Sequence, residues 1–175
     1  VAADLRDLNF HQMADKFQDS LSNGAHKLLS SFCGSFEGTA RTWFDGPDPV
    51  DTSTVKGTVR STLGGRFIIH EYEGTFQGKP LTGMAIIGKY LGQDKWQIAW
   101  IDSFHNGTRI MLSEGRSPSE KPDVYGNYPA DVGADWGWRT MIEAPSGDQL
   151  LVTHFNITPD GQEVKAVEFD YRRIG

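Results

Sequence analysis

A change of hydrophobic period at Gly34 constrains this chain more than any other feature. Ahead of it, Phe10, Met13, Phe17 and Leu21 recur at three- and four-residue spacing, leaving Asp15, Lys16, Gln18 and Asp19 on the opposite side. That is the stripe of an amphipathic helix. Ser22-Asn23-Gly24 interrupts it, and the spacing predicts a second short helix from Ala25 to Phe32, ended by Gly34. Beyond Gly34 apolar residues alternate with polar ones. Turn signals then punctuate the chain at 46–49, Gly64-Gly65, 77–80, 92–94, Asn106-Gly107, 145–148 and 159–161. The runs between them predict strands near 36–44, 54–62, 66–76, 81–91, 95–104, 108–115, 134–143, 149–157 and 163–173. About nine or ten short strands with hairpin-length links define an antiparallel all-β barrel or sandwich and leave no room for βαβ units. The segment Ser117 to Gly133, rich in Pro, Gly, Ser and Asp, reads as a long loop or as a loop flanking one short strand.

Neither a linker nor a repeat divides the chain. Residues 1–33 form a helical lead-in, residues 34–175 the β unit, and the whole is one domain; Val1 to Gln12, ahead of Met13-Ala14-Asp15-Lys16, reads as an extension. At 175 residues such a domain needs no disulfide or metal to hold together. Cys33 is the only cysteine, which excludes an intrachain disulfide and a cysteine-based zinc site. The five histidines, His11, His26, His70, His105 and His154, show no metal-ligand spacing, so no metal or other cofactor is expected. A net charge of −6 repels a phosphate backbone and argues against nucleic acid. No apolar run is long enough for a membrane helix, and no basic-then-apolar leader opens the sequence, which leads to an expected cytoplasmic location. Homo-oligomerisation is not readable from the residues.

Alternation assigns faces. Trp96, Ile98, Trp100, Asp102 and Phe104 share one side of their strand, and Trp136, Trp138, Thr140 and Ile142 share one side of theirs. Ile68, His70, Tyr72 and Phe76 form a third set, and Val167, Phe169 and Tyr171 a fourth. The strand near 149–157 is ambiguous, because Leu150, Val152 and His154 compete with Leu151, Phe155 and Ile157. The inward faces are thus aromatic with a few polar exceptions: Asp102, His70, Tyr72, Tyr171 and, on one register, His154. Asp102 stands between two aromatics, which suits a general acid or base. It also stands just before Asn106-Gly107, which suits a structural acceptor for that turn, and the second role is the expected one. There is no HExxH, P-loop, dinucleotide glycine fingerprint or serine nucleophile elbow.

Ala25-His26-Lys27-Leu28-Leu29, Cys33 to Thr39, Ser53 to Arg60 and Leu63 to Phe67 together resemble a bacterial family, domain-of-unknown-function 1579. The resemblance continues through Glu73 to Met84, Ile87 to Tyr90, Trp100-Ile101-Asp102-Ser103, Pro159-Asp160-Gly161 and Tyr171-Arg172-Arg173. It implies a calycin- or lipocalin-like barrel whose interior holds an apolar molecule, and it implies no activity. Two departures stand out. Phe36 takes a place usually filled by Trp, and 117–133 does not follow the pattern.

The function expected from these residues is binding of a small apolar or aromatic ligand inside the barrel, between Trp96, Trp100, Trp138, Tyr72, His70, Asp102 and Met84. Three alternatives stand beside it. One is a barrel-housed isomerase, cyclase or hydrolase using Asp102 with His70 or Tyr171. Another is a haem-binding barrel with His154 as axial ligand. The last is an interaction protein with a filled core.

Overall fold

The computed structural model describes residues 2–175 except Asp45 and Asp131, with side chains from Gln12 onward. The expectation that Val1 to Gln12 is an extension falls largely outside the described residues. Helix α1 (Ala2–Asn23) is followed after Gly24 by α2 (Ala25–Ser31). Ten strands come next: β1 (Gly34–Thr42), β2 (Asp51–Thr62), β3 (Phe67–Phe76), β4 (Lys79–Tyr90), β5 (Lys95–Asp102), β6 (Met111–Glu114), β7 (Asp123–Tyr128), β8 (Trp136–Ser146), β9 (Gln149–Ile157) and β10 (Glu163–Arg173). A single 3₁₀ turn, Leu63–Gly65, joins β2 to β3. Each strand pairs antiparallel with its sequence neighbour, and β1 pairs with β10 (Gly38 opposite Tyr171) to close the barrel. Closure leaves no unpaired edge. No helix among the described residues is long and apolar enough to cross a membrane.

The alternation read from the sequence is the one the barrel uses within its strands, whereas Phe104, expected on the inward face with Trp100 and Asp102, lies beyond the end of β5 and is exposed. Ile68, Tyr72, Trp96, Ile98, Trp100, Trp138, Ile142, Phe169 and Tyr171 are all buried in one core. The ambiguous strand turns Leu150, Val152 and His154 inward. A bulge between Lys165 and Val167 lets Ala166 and Val167 both face the core without disturbing the register of Phe169 and Tyr171. The segment 117–133 contains β7, whose residues pair with β8 from Asp123↔Met141 to Tyr128↔Trp136. β7 escapes periodicity because its inward face, Val124, Gly126 and Tyr128, holds one small aliphatic residue, a glycine and a tyrosine along six residues.

The two ends of the barrel differ. At one end Leu29 of α2 and Phe32, the residue that caps it, enter the core and plug it. Arg173 ties that plug down: its guanidinium lies 4.9 Å over the Phe36 ring and donates to the carbonyls of Ser31 (3.0 Å) and Cys33, which the helix leaves without partners. At the same end the Trp96 indole donates to the Ser119 carbonyl (2.9 Å), and the buried Lys89 ammonium bonds the Asp94 carboxylate (2.6 Å) and backbone carbonyl (2.9 Å). The opposite end, the mouth, is where β1 leads to β2, β3 to β4, β5 to β6 through 103–110, β7 to β8, and β9 to β10.

Candidate functional site at the barrel mouth

The last inward residue of β5 is Asp102, and the loop 103–110 folds back from it over the mouth. The carboxylate organises that loop. Oδ1 accepts the Asn106 backbone N–H (2.8 Å), and Oδ2 lies 2.5 Å from His105 Nδ1. The expected structural role of Asp102 as acceptor for the Asn106-Gly107 turn is therefore realised. Burial pushes the Asp102 carboxyl up, but the hydrogen bond and charge of His105 and the backbone N–H groups outweigh it and hold the group below its ordinary value. An ionised carboxylate can only accept, so His105 Nδ1 carries the donated proton. Among the described residues no protein group bonds His105 Nε2, and the side chain is 19% exposed.

Beneath this pair lies a continuous aromatic and polar lining. The Trp100 indole stacks on Trp138 (centroids 5.4 Å, 17° between planes) and on the His154 imidazole (5.1 Å, 15°). The His105 ring is 5.5 Å from Trp100 and 5.8 Å from Trp138. Trp100 Nε1 donates to the Tyr72 hydroxyl (2.9 Å), His154 Nδ1 pairs with Thr140 Oγ1 (2.9 Å), and His70 Nε2 pairs with the Tyr171 hydroxyl (3.2 Å). Burial drives the His70 imidazole down to about 4 and His154 to about 3, so both rings are neutral at pH 7. Burial pushes both the Tyr72 and Tyr171 hydroxyls up, keeping them protonated.

Three polar atoms in this region are buried without a partner: Asn106 Nδ2, Asn106 Oδ1 and Trp138 Nε1. Asn106 is 8% exposed and adjoins His105, whose ring neighbours Trp138. Each such group costs on the order of 1–3 kcal/mol relative to a bonded one. The free space deeper in the barrel, between His70, Tyr72, Trp100, Thr140, His154 and Phe169, is only about 20 Å³, room for a single water. A haem does not fit beside His154 in this packing.

The residues expected to line one pocket do not all meet. Trp100, Trp138, Asp102, His70 and Tyr72 share the inner face. Trp96 is inside but at the plugged end, bonded to Ser119. Met84 points outward, flanked by Glu71 and Ile101, because its partner position on β4, inward-facing Ala85, takes the core side. Asp102 pairs with His105 rather than with His70 or Tyr171, which bond each other. His105 and Asn106 were hidden in the sequence because His-Asn-Gly reads as a turn. The signal that could have exposed them is the acid three and four residues upstream, within reach of both.

A groove of about 1070 Å³ lies on the outside of β1–β5, bordered by Glu37, Lys56, Glu71, Met84, Ile101 and Arg109, and it reaches Asp102 and Gly107 at the edge of this site. Beside it Phe67, Ile86, Ile110 and Leu112 stand exposed on the same outer face, Leu112 at 72%.

Fold and lining together define a closed antiparallel barrel with a polar-aromatic interior, plugged at one end by a helix and covered at the other by a loop. The chain belongs to the family of proteins of unknown function DUF1579, whose model matches residues 22–173. No curated protein matches it. Among solved structures it is similar to a de novo designed fluorescence-activating β-barrel, at 16% identity and a TM-score of 0.43, over 83% of this chain and 96% of that one.

Proposed function

We propose that the protein binds a small aromatic or apolar molecule bearing a hydrogen-bonding group, at the mouth end of the barrel against Trp100 and Trp138. The observation that carries this reading is the set of buried, unpartnered polar atoms on Asn106 and Trp138 beside the Asp102–His105 pair. A ligand carbonyl accepts from Asn106 Nδ2 and Trp138 Nε1, a ligand hydroxyl can also donate to Asn106 Oδ1, and the flat body of either stacks on the indoles. The small volume deeper in the barrel favours a ligand engaged under loop 103–110 over one enclosed along the barrel axis. The test is native mass spectrometry of the purified protein for a retained small molecule, followed by titration of intrinsic tryptophan fluorescence with the molecule found. Retention of a ligand whose affinity is unchanged in both Trp100→Ala and Trp138→Ala defeats the reading.

A second reading, an interaction protein, is favoured by the exposed outer face around Phe67, Ile86, Ile110 and Leu112. The occupant that suits it is a second copy of the chain. The ion pairs around the strip, Arg60–Glu71 and Lys95–Glu114, carry both signs, as a self-complementary face requires. Sedimentation of the protein as a monomer at high micromolar concentration defeats this reading.

A further inference from the structure

The mouth site holds the parts of a proton-transfer centre. A base needs an imidazole with one nitrogen fixed and the other free, and His105 has this arrangement: Nδ1 is held by Asp102 at 2.5 Å, and Nε2 is left without a protein partner. The carboxylate fixes the tautomer and would stabilise the imidazolium formed when Nε2 takes a proton. A proton abstracted from carbon leaves negative charge on a neighbouring oxygen, which needs donors already in place. Asn106 Nδ2 and Trp138 Nε1 are two such donors, both buried and unbonded, one on the residue after the base and one on the ring 5.8 Å from it.

We propose that the protein catalyses enolisation of a small aromatic ketone, with His105 as the base, Asp102 as its positioning residue, and Asn106 and Trp138 as donors to the enolate oxygen. This rests on the ligand-binding reading above and assigns that site a chemistry. In the step, the C–H bond next to the carbonyl breaks and an Nε2–H bond forms. The electron pair moves to the carbonyl oxygen, which accepts from Asn106 Nδ2 and Trp138 Nε1. The imidazolium then returns the proton to the same carbon, to a conjugated one, or exchanges it with water, so no oxidant, metal or co-reactant is consumed. The donors are shut from solvent while the His105 side chain is partly open. The carbonyl therefore enters past the exposed ring of Phe104, with His105 and Asn106 still held by Asp102, and the ring of the substrate stays at the mouth beside Phe104 and Phe76, themselves 4.5 Å apart.

The test uses 2-tetralone as the probe with the full-length protein in D₂O. Exchange at the carbon next to the carbonyl is followed by proton NMR, and binding is followed in parallel by tryptophan fluorescence. The expected result is a saturable fluorescence change and exchange at least tenfold faster than with the same concentration of free imidazole. His105→Ala and the carboxamide variant His105→Gln, which keeps a donor for Asp102, should both lose that acceleration while circular dichroism is unchanged. Added imidazole should restore exchange in His105→Ala, a rescue that a purely structural histidine would not show. Asp102→Asn should lower the exchange rate more than it lowers probe affinity. Exchange equal in the unsubstituted protein and both His105 variants overturns the proposal. Saturable binding without accelerated exchange also overturns it but leaves the binding reading standing, whereas absence of both effects removes the two together.

Discussion

The imidazole of His154 lies flat on the indole of Trp100, 5.1 Å between centroids and 15° between planes, and its Nδ1 is bonded to Thr140. A ring stacked so deeply cannot gain a proton without losing its environment. His70, bonded to Tyr171 and fully buried, is in the same position.

Acid stability should follow from these two rings. Both folded values, about 4 for His70 and about 3 for His154, lie below the ordinary 6.5. Their contribution to stability is complete above pH 6.5 and is lost as pH falls toward the folded values, because the unfolded chain takes up protons that the native state refuses. Two such groups give a slope of up to about 2.7 kcal/mol per pH unit in that window. Urea denaturation between pH 7 and pH 5 should show stability falling, and His154→Phe should flatten the fall if the fold persists. A stability that does not change across this range would contradict the burial of both rings.

Asp102 contributes in a lower pH window. Its folded value is held below the ordinary 3.8, so its stabilisation is present above that value and disappears as pH falls through the folded one. Asp102→Asn should therefore destabilise the protein at pH 7 by on the order of 1–3 kcal/mol, since it weakens the bonds to His105 and the Asn106 N–H. The difference should shrink on comparing the two proteins at the lowest pH at which both still fold.

Asn106→Leu should act in the opposite direction. It replaces a buried carboxamide that bonds nothing with an apolar group of similar size, and the backbone N–H that Asp102 accepts is retained. The ligand-free variant should be more stable by about 1–3 kcal/mol, with a higher Tm by roughly 2–4 °C per kcal/mol. The same variant should bind 2-tetralone more weakly. Differential scanning calorimetry and fluorescence titration read the two effects separately.

Gly83 is held to its size by Tyr72. The two residues face each other across β3 and β4, and a Cβ at Gly83 would collide with the Tyr72 ring and hydroxyl. The ring lies over the glycine as aromatic residues do in curved sheets. Gly83→Ala should push the hydroxyl off Trp100 Nε1 and cost about 1–3 kcal/mol, visible in the denaturation midpoint and as a shift in tryptophan emission.

The sequence by itself determined the helix-to-strand switch at Gly34, most strand positions, and the inward identity of Trp100, Trp138, Tyr72, His70 and Asp102. Side-chain period and turn chemistry are local properties, and a two-residue alternation with one buried face fixes register strongly. The tertiary structure alone decided what those residues touch. Whether Asp102 met His70, Tyr171 or His105 depended on how loop 103–110 folds back over the mouth, which alternation does not encode. Trp96 and Trp100 share a face, yet four residues along a strand carry them about 13 Å apart, toward opposite ends of the barrel, and only closure shows which end is plugged. Met84 opens the apolar run Met84-Ala85-Ile86-Ile87, but the pleat gives the core side to Ala85 and turns the thioether outward. The filled interior likewise came from the summed volumes of residues on ten strands, a quantity that no single segment carries.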